Sequence, residues 1–171
     1  MKKLVTLVLL AFITAPSNAQ WEEQDVKFLL LKNFVSHIEW PEDFNPKEFK
    51  IGVYSSLDVY KQVSQMDIRP RHAGTETVSY YYLRSHDELI ACNIIYVPEG
   101  NSHEIPKIKQ KMVGYPVVII SEHPVGLDHG ATINFIENDK GNIGYQVNED
   151  DLHSSGVKFS YQILEGSTVA N

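Results

Sequence analysis

Two short runs without a charged residue, Asn93 to Val97 and Pro116 to Ile120, constrain the fold of this chain more than any other feature. A run of that length and composition suits a strand buried on both faces, as strands of a parallel sheet are. Helical patterning alternates with such runs. Ser55-Ser56-Leu57-Asp58 resembles a capping box and predicts a helix through about Met66. Asn101-Ser102-His103-Glu104 predicts another helix, reaching about Met112. Phe49 to Tyr54 and Thr75 to Leu83 read as further strands, the second rich in threonine, valine and tyrosine, and Ser85 to Leu89 as a helical turn. Strands alternating with helices predict a parallel sheet with right-handed crossovers.

The two ends of the chain complete the pattern. Val26, Leu29, Leu30, Phe34 and Ile38 recur near helical spacing and predict a helix from Val26 to Ile38, stopped by Trp40-Pro41. Towards the C-terminus Ile133 and Phe135, then Ile143, Tyr145 and Val147, alternate with polar residues or glycine. Asn138-Asp139-Lys140-Gly141-Asn142 between them has hairpin chemistry. Asn148 is placed to cap a helix whose first turn holds Glu149, Asp150 and Asp151. A last amphipathic segment runs from about Val157 to Leu164, and Glu165 to Asn171 reads as a frayed tail. The expectation is one α/β domain: a mixed, mainly parallel sheet flanked by helices, ending in a β-hairpin and a C-terminal helix.

Met1 to Ala19 has the layout of a secretory signal: Lys2 and Lys3, an apolar run from Leu4 to Thr14, then Ala15-Pro16-Ser17-Asn18-Ala19. The domain reading is therefore residues 1–19 as signal peptide and 20–171 as a single exported domain, with no stable membrane insertion after cleavage. No cysteine follows the apolar run, so no lipid anchor is expected. Hydrophobic content of 43% and aromatic content of 11% belong to a chain that folds around a core. The formal charge is −7, and loss of Lys2 and Lys3 makes it more negative. Such a charge gives no footing on phosphate backbones or anionic lipid, which argues against nucleic-acid binding. Export also argues against ATP-driven chemistry. Cys92 is the one cysteine, so no internal disulfide forms, and its apolar neighbours suit a buried thiol.

Several stretches, taken in order, resemble the YfiR-like family of periplasmic signalling regulators. Lys27, Asn33-Phe34 and Trp40-Pro41 in the opening helix are similar to its N-terminal signature. Val117 to Glu122 resembles its late buried strand. Asn134-Phe135 with Asn148 resembles its hairpin, and Gly156 with Ser160 its closing helix. The resemblance implies an α/β domain, often dimeric, that binds the periplasmic domain of an inner-membrane diguanylate cyclase or histidine kinase, in cyclic-di-GMP or two-component signalling. It implies no enzyme activity and no cofactor. With Cys92 alone, control by an internal pair of cysteines is not expected.

No stretch carries a recognisable reaction centre. His37, His72, His86, His103, His123, His129 and His153 show no close metal-ligand pairing and no HExxH. His123, Asp128 and His129 come nearest to a cluster, in a loop after a strand end, where open α/β sheets bind ligands. Ser121-Glu122-His123 has the residue types of a hydrolase triad, but sequence neighbours cannot form the relay, and no Gly-x-Ser-x-Gly elbow occurs. Glu149, Asp150 and Asp151 are expected to cap a helix and face water. Trp40 reads as a core plug rather than a partner-facing aromatic. In Tyr80-Tyr81-Tyr82 alternation puts Tyr80 and Tyr82 on one face, a candidate interface because tyrosine is enriched at hot spots. Tyr80, Tyr82, His123, Asp128 and His129 are the candidates for a partner or ligand surface. The rival to a regulator is a periplasmic small-molecule-binding protein using the cleft at the strand ends.

Overall fold

The computed structural model describes residues 19–44, 47–70, 77–139 and 141–167. Met1 to Asn18 of the expected signal, His72 and the end of the tail lie outside the described residues. Helix α1 (Ala19–His37) leads into a two-residue strand β1 (Ile38–Glu39). Then come β2 (Glu48–Tyr54), α2 (Leu57–Val63), β3 (Thr77–Leu83) and, after a 3-10 turn at His86–Glu88, β4 (Ile94–Val97). A 3-10 stretch (Glu99–Glu104) runs into α3 (Ile105–Lys111), followed by β5 (Val118–Ser121) and the hairpin of β6 (Ile133–Glu137) and β7 (Ile143–Val147). The chain ends in α4 (Glu149–Ser155), β8 (Lys158–Phe159) and α5 (Tyr161–Glu165).

The main sheet has the order β3-β2-β4-β5-β6-β7. Every pairing is parallel except that of β6 with β7, so the sheet is mixed and mainly parallel, as the sequence predicts. β4 and β5 are buried along their whole length, which is why they carry no charge. One face of the sheet, with Ile51, Val53, Ile94, Ile120, Ile133 and Phe135, packs against Leu31, Phe34 and Val35 of α1 and against Leu152 and Ile163. The other face, with Ile95, Val97, Ile119 and Cys92, packs against Ile105, Ile108 and Met112. Phe34 anchors α1 through the ring of Tyr145 at 4.8 Å, edge-on, and that of Phe135 at 6.0 Å, stacked.

Several boundaries differ from the sequence expectation. The segment from Val157 to Leu164 is not one helix. Gly156 stops α4 with φ at +73°, a conformation that glycine adopts freely, and the next residues run extended to pair β8 with β1. Ser160, itself extended, then opens α5, and its N–H donates to the His37 carbonyl at 3.0 Å. Ile38 accordingly leaves the opening helix for β1. The helix expected from Asn101 begins as 3-10, becoming α-helical at Ile105 with Pro106 tolerated in the first turn. α2 ends at Val63, three residues short of Met66.

Candidate functional site

The carboxyl ends of β4 and β5 gather polar groups on both faces of the sheet. On the α1 face, Tyr96 is fully buried and its hydroxyl donates to the Glu122 carboxylate just beyond β5. Lys27 of α1 lies 3.4 Å from the other oxygen of Glu122 and 2.6 Å from Glu23, one helical turn back. The Lys27 and Glu122 side chains are only 10% and 9% exposed, so this pair sits at the edge of the core, not on the surface. Burial pulls the Lys27 ammonium down, but the Glu23 hydrogen bond and the Glu122 charge outweigh it and hold its pKa above the ordinary value. Burial first, then the charge of Glu122, pushes the Tyr96 phenol well up, so it stays a neutral donor. The geometry follows from α1 running opposite to the parallel strands: its amino half meets strand ends while its exit brings Trp40 edge-on to Phe49, ring centres 5.0 Å apart.

On the opposite face, Ser121 and Asn134 stand side by side in register at the β5–β6 pairing, and both are fully buried. The loop that follows β5 closes over them through Gly126. A Cβ there would fall 2.2 Å from Asn134 Oδ1 and 2.5 Å from Ser121 Oγ, so only glycine fits. Ser121 Oγ accepts the His123 amide at 3.1 Å, while both amide atoms of Asn134 lack a partner among the described residues. His123 Nδ1 accepts the Val125 amide at 3.2 Å, and His129 Nδ1 lies 3.1 Å from the Ser102 carbonyl. These two histidines therefore brace the loop, and they do not converge with Asp128 on a common point. Among the described residues no three His, Cys, Asp or Glu side chains gather so as to hold a metal ion.

Tyr80 and Tyr82 sit away from this loop, across β2 and β4. Tyr80 donates to the Met66 carbonyl at 2.9 Å and Tyr82 packs on Tyr60, while Tyr81 on the other face donates to Glu48 at 3.0 Å. Of the motif residues, Phe34, Trp40, Phe135 and Lys27 are buried and Asn33 is exposed, with its carbonyl 2.9 Å from His37 Nδ1. Pro41 opens a turn closed by the Phe44 amide. Asn148 caps α4 by accepting from the Asp151 amide at 3.1 Å, and the Ser160 hydroxyl is buried without a partner among the described residues.

Asp151 departs from the expectation that the three acids face water. Its side chain is 9% exposed, paired with Lys109 and accepting from Thr132 Oγ1 at 2.6 Å, and so ties α4 to α3 and to the residue that leads into β6. Tyr54, His86 and Glu104 meet near the carboxyl end of β2, with His86 Nε2 3.1 Å from Glu104. Sequence reasoning missed both groups because their members lie far apart along the chain.

Residues 24–168 match the family described as YfiR/HmsC-like (DUF4154). The chain belongs to that family. Its members are periplasmic regulators rather than enzymes, and membership implies interaction with a signalling partner. No curated protein matches the sequence. Among solved structures, a conserved domain protein from Vibrio cholerae aligns with a TM-score of 0.55 at 11% identity, over 87% of this chain and 60% of that one. The ABC domain in complex with L-Trp from Streptococcus pneumonia aligns with a TM-score of 0.50 at 15% identity, over 75% of this chain and 57% of that one. The chain thus spans under two thirds of either structure, and at such identity the likeness shows the α/β fold alone. Among the described residues no helix is long and apolar enough to cross a membrane.

Proposed function

We propose that this chain is a periplasmic, non-catalytic regulator that binds the exported sensor domain of an inner-membrane diguanylate cyclase or histidine kinase and biases its activity. Export by cleavage of the segment up to Ala19, and a homodimeric state, belong to the same reading. The mechanism is population shift: the regulator binds one conformation of the sensor better than the other, and can move the equilibrium only by that difference. The observation that carries the reading is the closure of the strand carboxyl ends. Open α/β sheets place ligands there, yet here Lys27, Glu122 and Tyr96 fill one face and Gly126 covers the other. Tyr96 and Lys27 are turned on Glu122, and the loop at Gly126 packs directly over Ser121 and Asn134, which leaves the outer surface for recognition.

The test is titration of the processed chain with the purified periplasmic domain of the membrane cyclase or kinase encoded beside it. Saturable binding at micromolar concentration or tighter, with a change in cyclase or kinase output, is expected. No binding in that range overturns the proposal. The small-molecule reading finds support in a different place, a cavity of about 240 Å³ between α3 and α4 that includes Lys109, Tyr115 and Asp151. A metabolite that raises the melting temperature of the chain would favour it.

A further inference from the structure

We propose that the outer edge of β3, with the cleft beside it, is a strand-addition site for an extended, basic segment of the partner protein; this rests on the partner-binding reading above. β3 is the terminal strand of the sheet. Its inner edge can be assigned from two bonds: the Thr77 amide donates to the Lys47 carbonyl, and the Leu83 carbonyl accepts from the Ser55 amide. The register with β2 runs unbroken from Thr77 to Leu83. In such a ladder Thr77, Ser79, Tyr81 and Leu83 bond inward, so the N–H and C=O groups of Val78, Tyr80 and Tyr82 point away from the sheet. Among the described residues no strand pairs with them.

Exposed edges are usually blunted with lysine, proline, a bulge or a very short strand. Thr77-Val78-Ser79-Tyr80-Tyr81-Tyr82-Leu83 has none of these devices. Beside it opens a cleft of about 380 Å³, with Met66, Ile68, Val78 and Tyr80 on its walls and the exposed Asp67–Arg69 pair also lining it. Strand addition uses main-chain bonds for affinity and such clefts, meeting alternate side chains, for specificity. An added strand would turn every second side chain towards this cleft, and an apolar one fits its walls. The formal charge of −7 attracts a basic segment to this edge.

Amide hydrogen exchange on the processed chain, with and without the purified sensor domain, tests this directly. Binding is expected to slow exchange at Val78, Tyr80 and Tyr82 by roughly tenfold or more, leaving the amides already bonded to β2 unchanged. Val78→Pro removes an outward N–H, which an edge strand tolerates, and should weaken binding on the order of tenfold. Binding without protection at those three amides overturns the site while partner binding stands. No binding by the unmodified chain overturns both. Protection that grows with the concentration of the chain alone makes the occupant a second copy and also overturns the proposal. Should Val78→Pro fail to fold, the exchange pattern of the unmodified chain decides.

Discussion

Replacing Lys27 by methionine isolates what holds α1 to the strand ends. Methionine keeps the apolar stem and removes the ammonium, leaving Glu122, 9% exposed, with the Tyr96 hydroxyl as its remaining partner among the described residues. Breaking a buried pair from one side costs about 3–5 kcal/mol, because the other charge stays buried. The Tyr96 bond offsets part of this, so the low end, about 3 kcal/mol, is expected. For a chain of this size that corresponds to a fall in melting temperature of roughly 6–12 °C. Urea unfolding should show a lower midpoint at unchanged slope. Adding Glu122→Gln removes the stranded charge and should restore at least about 1 kcal/mol, the signature of direct coupling. The pH dependence has a definite sign. Folding raises the Lys27 pKa above 10.5, so its contribution is complete at neutral pH and fades only as the pH climbs through the raised value. The gap between wild type and Lys27→Met should therefore stay flat from mildly acidic to mildly alkaline pH and narrow beyond. A loss below about 1 kcal/mol, as for solvent-exposed pairs, would refute the reasoning.

Gly126→Ala forces a methyl against Asn134 and Ser121 and should cost about 1–3 kcal/mol, read from urea midpoints and from faster exchange in the loop after β5. Asn148→Ala removes the cap of α4 and should cost about 1 kcal/mol by the same assay. Trp40→Ala should cost about 3–5 kcal/mol, whereas Trp40→Phe should cost much less, since the indole N–H it removes has no partner among the described residues. Cys92 is fully buried, which pushes its thiol up to about 12, so thiol reagents should label it at neutral pH only once the chain unfolds.

The sheet was legible because its pattern is local. Uncharged four-residue runs can be little else than β4 and β5, and the alternation from Ile133 to Val147 with its Asn/Gly loop marks the hairpin. What stayed hidden depends on partners far along the chain. β8 is extended because β1 lies alongside, and nothing between Val157 and Leu164 announces that. Asp151 looks like a solvated capping acid until Lys109 and Thr132 arrive from elsewhere in the fold. Lys27 stood out as a motif residue and Glu122 as an acid ending a strand. Their contact across 95 positions needed the packing direction of α1.

The distribution of unpaired hydrogen-bonding groups separates the two ways such a sheet can meet another molecule. A strand-end site keeps donors and acceptors waiting for a ligand, held by a scaffold that leaves room for it. Here the Glu122 carboxylate is taken up by Tyr96 and Lys27, and Gly126 leaves no space beside Asn134. Opening that edge would break the Lys27–Glu122 pair and unpack the loop at Gly126, and the ligand would have to compensate both. At β3 the balance is the reverse. The outward groups of Val78, Tyr80 and Tyr82 have no partner strand among the described residues, and pairing them breaks no strand ladder formed among those residues. Recognition at the rim of the sheet therefore requires less reorganisation than recognition at its carboxyl end, which is the condition a regulator needs to bind its partner without refolding itself.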